Sequence, residues 1–372
     1  MIWLTWRQFR AQAITAAVAL AAFAIVLAVT ESHLSSLYDS SGLTTCRGDA
    51  CAGQASQFLQ NLSNGGGSFL IPAASAYMIL YFVGVLAILI APVIAGCFWG
   101  APLISRELEA GTFRLTWNQG ITRTRWLTVK LALTGAAAML VAEAFSLLQA
   151  WWAAPIGKAV GFGGSSSIFS ETRFGWFVFP THGITPLGYA AFGFALGVTA
   201  GLVVRRPIPA MAITLAIFAA VQFVTPLWIR PHLFPTSQTI TTIAASGASV
   251  SLKANPRLVF TAGAVPGQPG AWIISSEGVN AAGQRVSLIP ASCEQAAAGA
   301  LGSHRGTPVG PGSAALNNCV AGHGIRVAES YQPASHYWPL QWSETGMFLA
   351  LALALACYCY WRLNRRSLLV VK

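Results

Sequence analysis

Ser105 to Lys130 reads SRELEAGTFRLTWNQGITRTRWLTVK, and its seven charged side chains sit between two long apolar runs. Charged residues make up 9% of the chain and hydrophobic ones 55%, whereas about a quarter of an ordinary soluble domain is charged. That balance belongs to a membrane protein. Working outward from the charged stretch, six apolar runs appear: Ala13–Thr30, Ala76–Pro102, Val129–Ala150, Pro186–Val204, Ile208–Trp228 and Thr345–Trp361. Each is long enough to cross about 30 Å of hydrocarbon as a helix rising about 1.5 Å per residue. The first run follows Arg7 and Arg10, as a signal peptide would, but it lacks a small-residue cleavage site and is long enough to span, so it is expected to stay as a helix.

Orientation follows from the basic residues. With the N-terminus inside, the inner segments hold Arg7, Arg10, the five basic residues of the opening stretch, Arg205, Arg206 and the tail from Arg362. Only Glu107 and Glu109 oppose them, so the whole net charge of +11 falls on one face, which the positive-inside rule assigns to the cytoplasm. Both termini are then cytoplasmic, in a multi-pass protein of the cell membrane. The basic balance reports topology and contact with anionic lipid, not nucleic acid.

The cysteines fit the same map. Cys46 and Cys51 lie in the first outer loop, 31–75, and Cys293 and Cys319 in the large outer segment, 229–343. Two outer pairs in an oxidising compartment read as two disulfides, with Cys97, Cys357 and Cys359 left free within spans. The set Cys293, His304, Cys319 and His323 also has zinc-ligand chemistry, although an outer location favours oxidation.

Residues 1–12 carry Trp3, Leu4, Trp6 and Phe9 beside two arginines, which suits either an interfacial helix that turns into the first span or a plain extension of that span. The core continues over 13–228. In the fourth run Gly193, Gly197 and Gly201 share one helical face and invite close backbone packing, within one subunit in the simpler reading. In the outer segment, LVFTAG, AWIISSEGV and QRVSLIP have strand character and CEQAAAGALG helical character, giving a compact mixed domain. The last span and a basic tail occupy 344–372. The fold class is therefore an all-α polytopic core of six transmembrane helices, with a disulfide-bonded outer domain between helices five and six.

The charged stretch lies inside, in the connection 104–128. On a helical wheel Ile104, Leu108, Gly111, Thr112 and Leu115 share one face, with both signs of charge around the rest. Such a short amphipathic helix suits docking of a cytoplasmic partner: the charges fix register and the apolar face supplies contact energy. An ordinary positive-inside loop would carry the same arginines.

ELEAGTFRLTWNQGITRTRWLTVKL resembles the cytoplasmic loop of the type-2 ATP-binding-cassette exporter permeases, notably their actinobacterial branch, where an acidic residue, a Gly-Thr pair and a later Thr-Arg-x-Arg-Trp lead into the third span. GLVVRRPIPAMAITLA from Gly201, and the segment from Tyr331 through the last span, resemble the same family. The resemblance implies a permease half that joins a second copy or a sister permease and a separate nucleotide-binding ATPase. It assigns the ATPase-coupling role to Glu107, Glu109, Gly111, Thr112, Arg114, Trp117, Arg123 and Arg125. ATP and Mg would bind on the partner. This chain has no G-x-x-x-x-G-K-[ST] cradle and no cofactor of its own is expected.

For a cargo path the candidates are Tyr77, Tyr81, Phe82 and Phe223, which could line an apolar cleft between spans two and five, with Gln222 nearby. Glu143 is the acidic residue well inside a span, and intramembrane ionisable groups are functional candidates. A protonated, hydrogen-bonded Glu143 between helices is the alternative. The rival functions are an ATPase-coupled sensor that transmits without transport and a membrane enzyme. Against the enzyme, all six histidines fall in or beside outer segments and no H-E-x-x-H occurs.

Overall fold

The computed structural model describes residues 2–46, 51–64, 75–111, 122–163, 169, 173–252, 257–261, 265–268, 270–296 and 314–365. Six helices among them are long and apolar enough to cross a membrane: Thr5–Ser40, Ala76–Ala110, Arg123–Trp152, Thr185–Val204, Pro207–His232 and Ala334–Arg365. A helix is what apolar runs must form in hydrocarbon, because every backbone N–H and C=O has to be satisfied within the segment. Side-chain caps start two of them. The Ser75 hydroxyl accepts from the Met78 amide at 3.2 Å, and Thr122 accepts from the Arg125 amide at 3.3 Å. Pro207 opens the fifth, where its missing N–H costs nothing.

Span four is the hub. Its apolar window is 83% buried, against 6% for span one. Its glycine face accounts for this: a Cβ on Gly193 would sit 2.7 Å from the Pro92 carbonyl oxygen, and one on Gly197 or Gly201 would run into the carbonyls of Gly96 and Ala101. Spans two and four therefore touch backbone to backbone, so the stripe serves packing within one chain. On span two the contact falls in a π-wound segment, Ala95–Gly100, just beyond Pro92. The wider turn places Gly96 and Gly100 together against the hub.

Two expectations change, and of the two readings open for residues 1–12 the helix is the extension. Residues 2–40 form one continuous helix, Ile2–Ser40, so the N-terminal stretch extends span one without a turn. Its first turns are held along the base of span two, with Phe9 edge-on to Trp99 at 4.9 Å and the Gln12 amide donating to the Phe98 carbonyl at 3.1 Å. The first outer loop contains a helix, Cys51–Asn64. Composition hides it, but Ala55, Phe58, Leu59 and Leu62 are buried at helical spacing in a cluster with Leu34, Tyr38 and Trp152. The helix of the charged stretch ends at Ala110, short of the predicted Leu115, because Gly111 adopts φ 69° and stops it.

The domain between spans five and six, the expected outer domain, is small and mixed. β1 (Ser237–Thr241), β5 (Arg326–Gln332) and β4 (Trp272–Val279) form an antiparallel sheet in that order, and β2 (Ser249–Leu252) pairs with β3 (Leu258–Thr261). Val250, Phe260, Leu316 and Val327 are among its core. QRVSLIP does not become a strand. Its hydrogen bonds split, Val286 N donating to Gly278 O at 2.7 Å while Ser287 O accepts from Leu258 N at 2.9 Å, so neither neighbour is extended. CEQAAAGALG begins in a 3-10 turn, Ala291–Cys293, and most of it lies outside the described residues. Both disulfides are present, Cys46–Cys51 and Cys293–Cys319, with Cys97, Cys357 and Cys359 free.

Candidate functional site

At the end of the core expected to face inward, the charged stretch is tied into the core through Glu107. Its Oε1 accepts from Lys130 Nζ at 2.5 Å and from Gln8 Nε2 at 3.1 Å, joining the base of span two to span three and to the N-terminal turns of span one. Lys130 is buried, with its ammonium 5.0 Å from the Trp126 ring centroid. The predicted coupling residues thus separate by role. Glu107 faces its own chain, Gly111 ends the helix, and Glu109 and Arg125 are exposed. Arg123 is half-buried at the start of span three. Thr112, Arg114 and Trp117 lie outside the described residues. A groove of about 250 Å³ beside this junction is lined by Gln8, Phe9, Trp99, Leu103, Arg106 and Glu107, among others. The junction thus connects the base of span two to spans one and three, and the π-wound segment connects span two to the hub.

The cargo-path residues do not form one contact set. Tyr77 shares a hydrogen bond with His33 and lies parallel to its ring, and Tyr81 sits edge-on to Phe169 at 5.4 Å. Both pack on the cluster formed by span one and the loop helix. Phe82 is exposed but touches Tyr81, whereas Phe223 is exposed on span five and meets Trp176 at 5.9 Å. Gln222 is half-buried. Glu143 is half-buried in span three, and its Oε2 has no hydrogen-bond partner among the described residues. Nothing in this arrangement selects a cargo.

The zinc set does not fit as the residues stand. Cys293 and Cys319 are bonded to each other, so neither offers a thiolate. His323 lies beside them, Nδ1 3.7 Å from the Cys293 sulfur, with its other nitrogen 2.7 Å from Ser292 Oγ. His304 lies outside the described residues.

At the opposite end, which carries the mixed domain and is expected to face outward, the structure assembles a cluster that sequence reading did not single out. Arg230, at the end of span five, meets Glu344, near the start of span six, through two bonds: Nε to Oε2 at 2.9 Å and Nη2 to Oε1 at 3.1 Å. Both side chains are 0% exposed. The Tyr189 hydroxyl of span four donates to the same carboxylate at 2.8 Å, and the guanidinium lies 4.1 Å from the centre of the Phe179 ring. One helical turn before Glu344, Gln341 caps the hub. Its Oε1 accepts from the Ile184 and Thr185 amides at 3.1 and 3.2 Å, satisfying donors that a helix start leaves free. The sequence does hold a trace of this cluster: an arginine closes one apolar run and a glutamate sits one residue before another, opposite charges at the same membrane level.

With this frame in place, the comparison with known families is decisive in one respect. Residues 17–230, more than half of the chain, match the family model described as ABC-2 membrane transporter related. The chain belongs to that family. The match runs from within span one nearly to the end of span five and takes in the charged stretch. No curated protein and no solved structure matches the chain. An ABC-2 permease-type chain of this kind is typically non-catalytic and works with an ATPase.

Proposed function

We propose that the chain is the transmembrane subunit of an exporter, moving an apolar or amphipathic cargo by alternating access while a separate ATPase docks on the stretch 105–130. Membership of the ABC-2-related family carries this reading. The inner junction supports it, since docking force applied after Ala110 would act on three spans at once. Two copies, or this chain and a sister permease, would combine with two ATPases that hold ATP and Mg. Both termini and the docking stretch would face the cytoplasm. Nucleotide binding would then bias a two-state core.

The test is co-purification of a candidate stand-alone ATPase, tagged and co-expressed with this chain. Glu109→Lys with Arg125→Glu reverses two exposed charges and spares the Glu107–Lys130 pair. ATPase recovery should fall to background while the permease itself is produced at the normal level. Undiminished recovery would remove the docking claim. A second reading, ATPase-coupled sensing without transport, is favoured by how firmly the outer domain is seated on the core. Movement of cargo into sealed vesicles separates the two.

A further inference from the structure

Spans five and six flank span four and barely touch each other along the bilayer. They meet at Arg230 and Glu344, where both charges are fully buried. The outer domain is the insertion between these two residues, so the ion pair closes its base. Above it the entering and leaving strands are themselves paired, β1 against β5, with Ser237 opposite Tyr331. Gln332 Nε2 donates to the Phe234 carbonyl at 2.8 Å, and Phe234 packs on His336 at 5.6 Å. From the side, Trp272 of β4 stacks on Phe174 at 5.9 Å, and Phe174 packs on Phe179, the ring that carries Arg230.

We infer that Arg230, Glu344 and Tyr189 form a clamp that makes the outer domain and the outer ends of spans four, five and six one moving body. The domain travels with the core and does not swing as a hinged lid. Charge matters here because of direction. Apolar side chains of the same volume would fill the space but tolerate sliding and small rotations, whereas two parallel N–H···O bonds fix the guanidinium plane against the carboxylate, and the Tyr189 O–H ties that carboxylate to span four. A small rotation of span five would strand both charges away from water, which is far costlier than shifting an apolar contact. These three are positioning residues. An outward opening then forms at the edge of this body. The inference deepens the transporter reading and rests on it for what the motion accomplishes; the clamp itself is a property of this chain.

The test uses the full chain in lipid nanodiscs, with Cys357→Ser to clear the exposed native thiol and spin labels on cysteines at Ala282, exposed in the outer domain, and Leu227, exposed at the outer end of span five. The parent should give one narrow distance distribution. Arg230→Met with Glu344→Met together should melt close to the parent yet broaden that distribution by roughly twofold, the directional tie being gone. Arg230→Lys, which keeps a single contact, should fall between. A double variant as narrow as the parent, or a parent already broad, overturns the clamp. Where the double variant does not assemble, Tyr189→Phe serves, since it removes one hydrogen bond and no charge: a broader distribution supports the clamp and an unchanged one overturns it. Adding the ATPase with Mg-ATP tells this inference from the reading beneath it. A clamp-dependent narrow distribution combined with no cargo movement keeps the clamp and sinks transport.

Discussion

The two ends of the membrane core are both pinned by a buried ion pair, but the pins differ in what they join and how deeply they are set. The outer pair, Arg230–Glu344, is bidentate, wholly buried, and links spans that hardly meet elsewhere. The inner pair, Lys130–Glu107, is a single contact whose carboxylate side chain keeps 16% exposure and whose neighbours are spans already packed together. Depth and redundancy separate a fixed joint from one that can yield. The end expected to meet the ATPase has the shallower pin, which suits a junction that must respond to a partner, and the end carrying the outer domain has the deeper one.

The comparison breaks most visibly through single-charge removal. Arg230→Met strands Glu344 in a dry site, and breaking such a pair costs about 3–5 kcal/mol, so the variant should lose most of its folded yield and melt far lower in detergent. Adding Glu344→Met should recover most of the loss, because an apolar pair of similar volume is close to neutral for stability. Failure of the second change to rescue the first would show that the charges do more for stability than one another's company explains.

The hub sets the next scale. Gly197→Ala places a methyl against the Gly96 carbonyl, backbone that cannot rotate away, and overpacking of this kind costs about 1–3 kcal/mol. Since Gly96 belongs to the π-wound segment above the charged stretch, the substitution should also weaken ATPase recovery, although it lies far from any docking surface. A lower melting temperature with full ATPase recovery would mean that the hub contact does not transmit to the inner end.

At the inner end, Glu107→Gln keeps the shape, removes the charge and weakens the hold on Lys130 and Gln8. With part of the site open to solvent, about 1–2 kcal/mol is expected, less than at the outer pair. The sharper readout is local: amide exchange over residues 2–12 should quicken while the outer domain is unchanged. Equal destabilisation at both ends would erase the difference argued above.

What the sequence made legible follows from the range of each pattern. Long apolar runs announce spans without any neighbour, and all six appear near their expected positions. The disulfides followed from compartment and count. The glycine stripe could be read as a packing face, but its partner, the π-wound turn of span two, depends on contacts between elements far apart in the chain. The loop helix Cys51–Asn64 was hidden because its Gln, Asn and Ser face outward and lower the mean hydropathy, while Phe58, Leu59 and Leu62 keep the helical period. Arg230 and Glu344 escaped for a different reason. Counted one by one, each looked like a scattered outer charge, and only tertiary pairing makes them a site.

A third buried carboxylate sharpens the comparison because it pairs with no cation among the described residues. Glu329 on β5 is buried between Thr239 of β1 and Ser276 of β4, and neither carboxylate oxygen has a hydrogen-bond partner among the described residues. Burial pushes its carboxyl above the usual range. The folded protein therefore binds a proton more tightly than the unfolded chain does. Between the ordinary carboxylate value and the raised folded one, stability falls as pH rises; above that window the loss is complete and constant. This is the reverse of a salt-bridged acid, which loses stability as pH falls. Unfolding of the outer domain followed across the acid range should show that slope, and Glu329→Gln should abolish it while raising stability at neutral pH, because the amide carries no charge to desolvate. An unchanged slope in the variant would mean that Glu329 reaches water or a partner when ionised, and that pairing is not what sets the clamped outer pair apart.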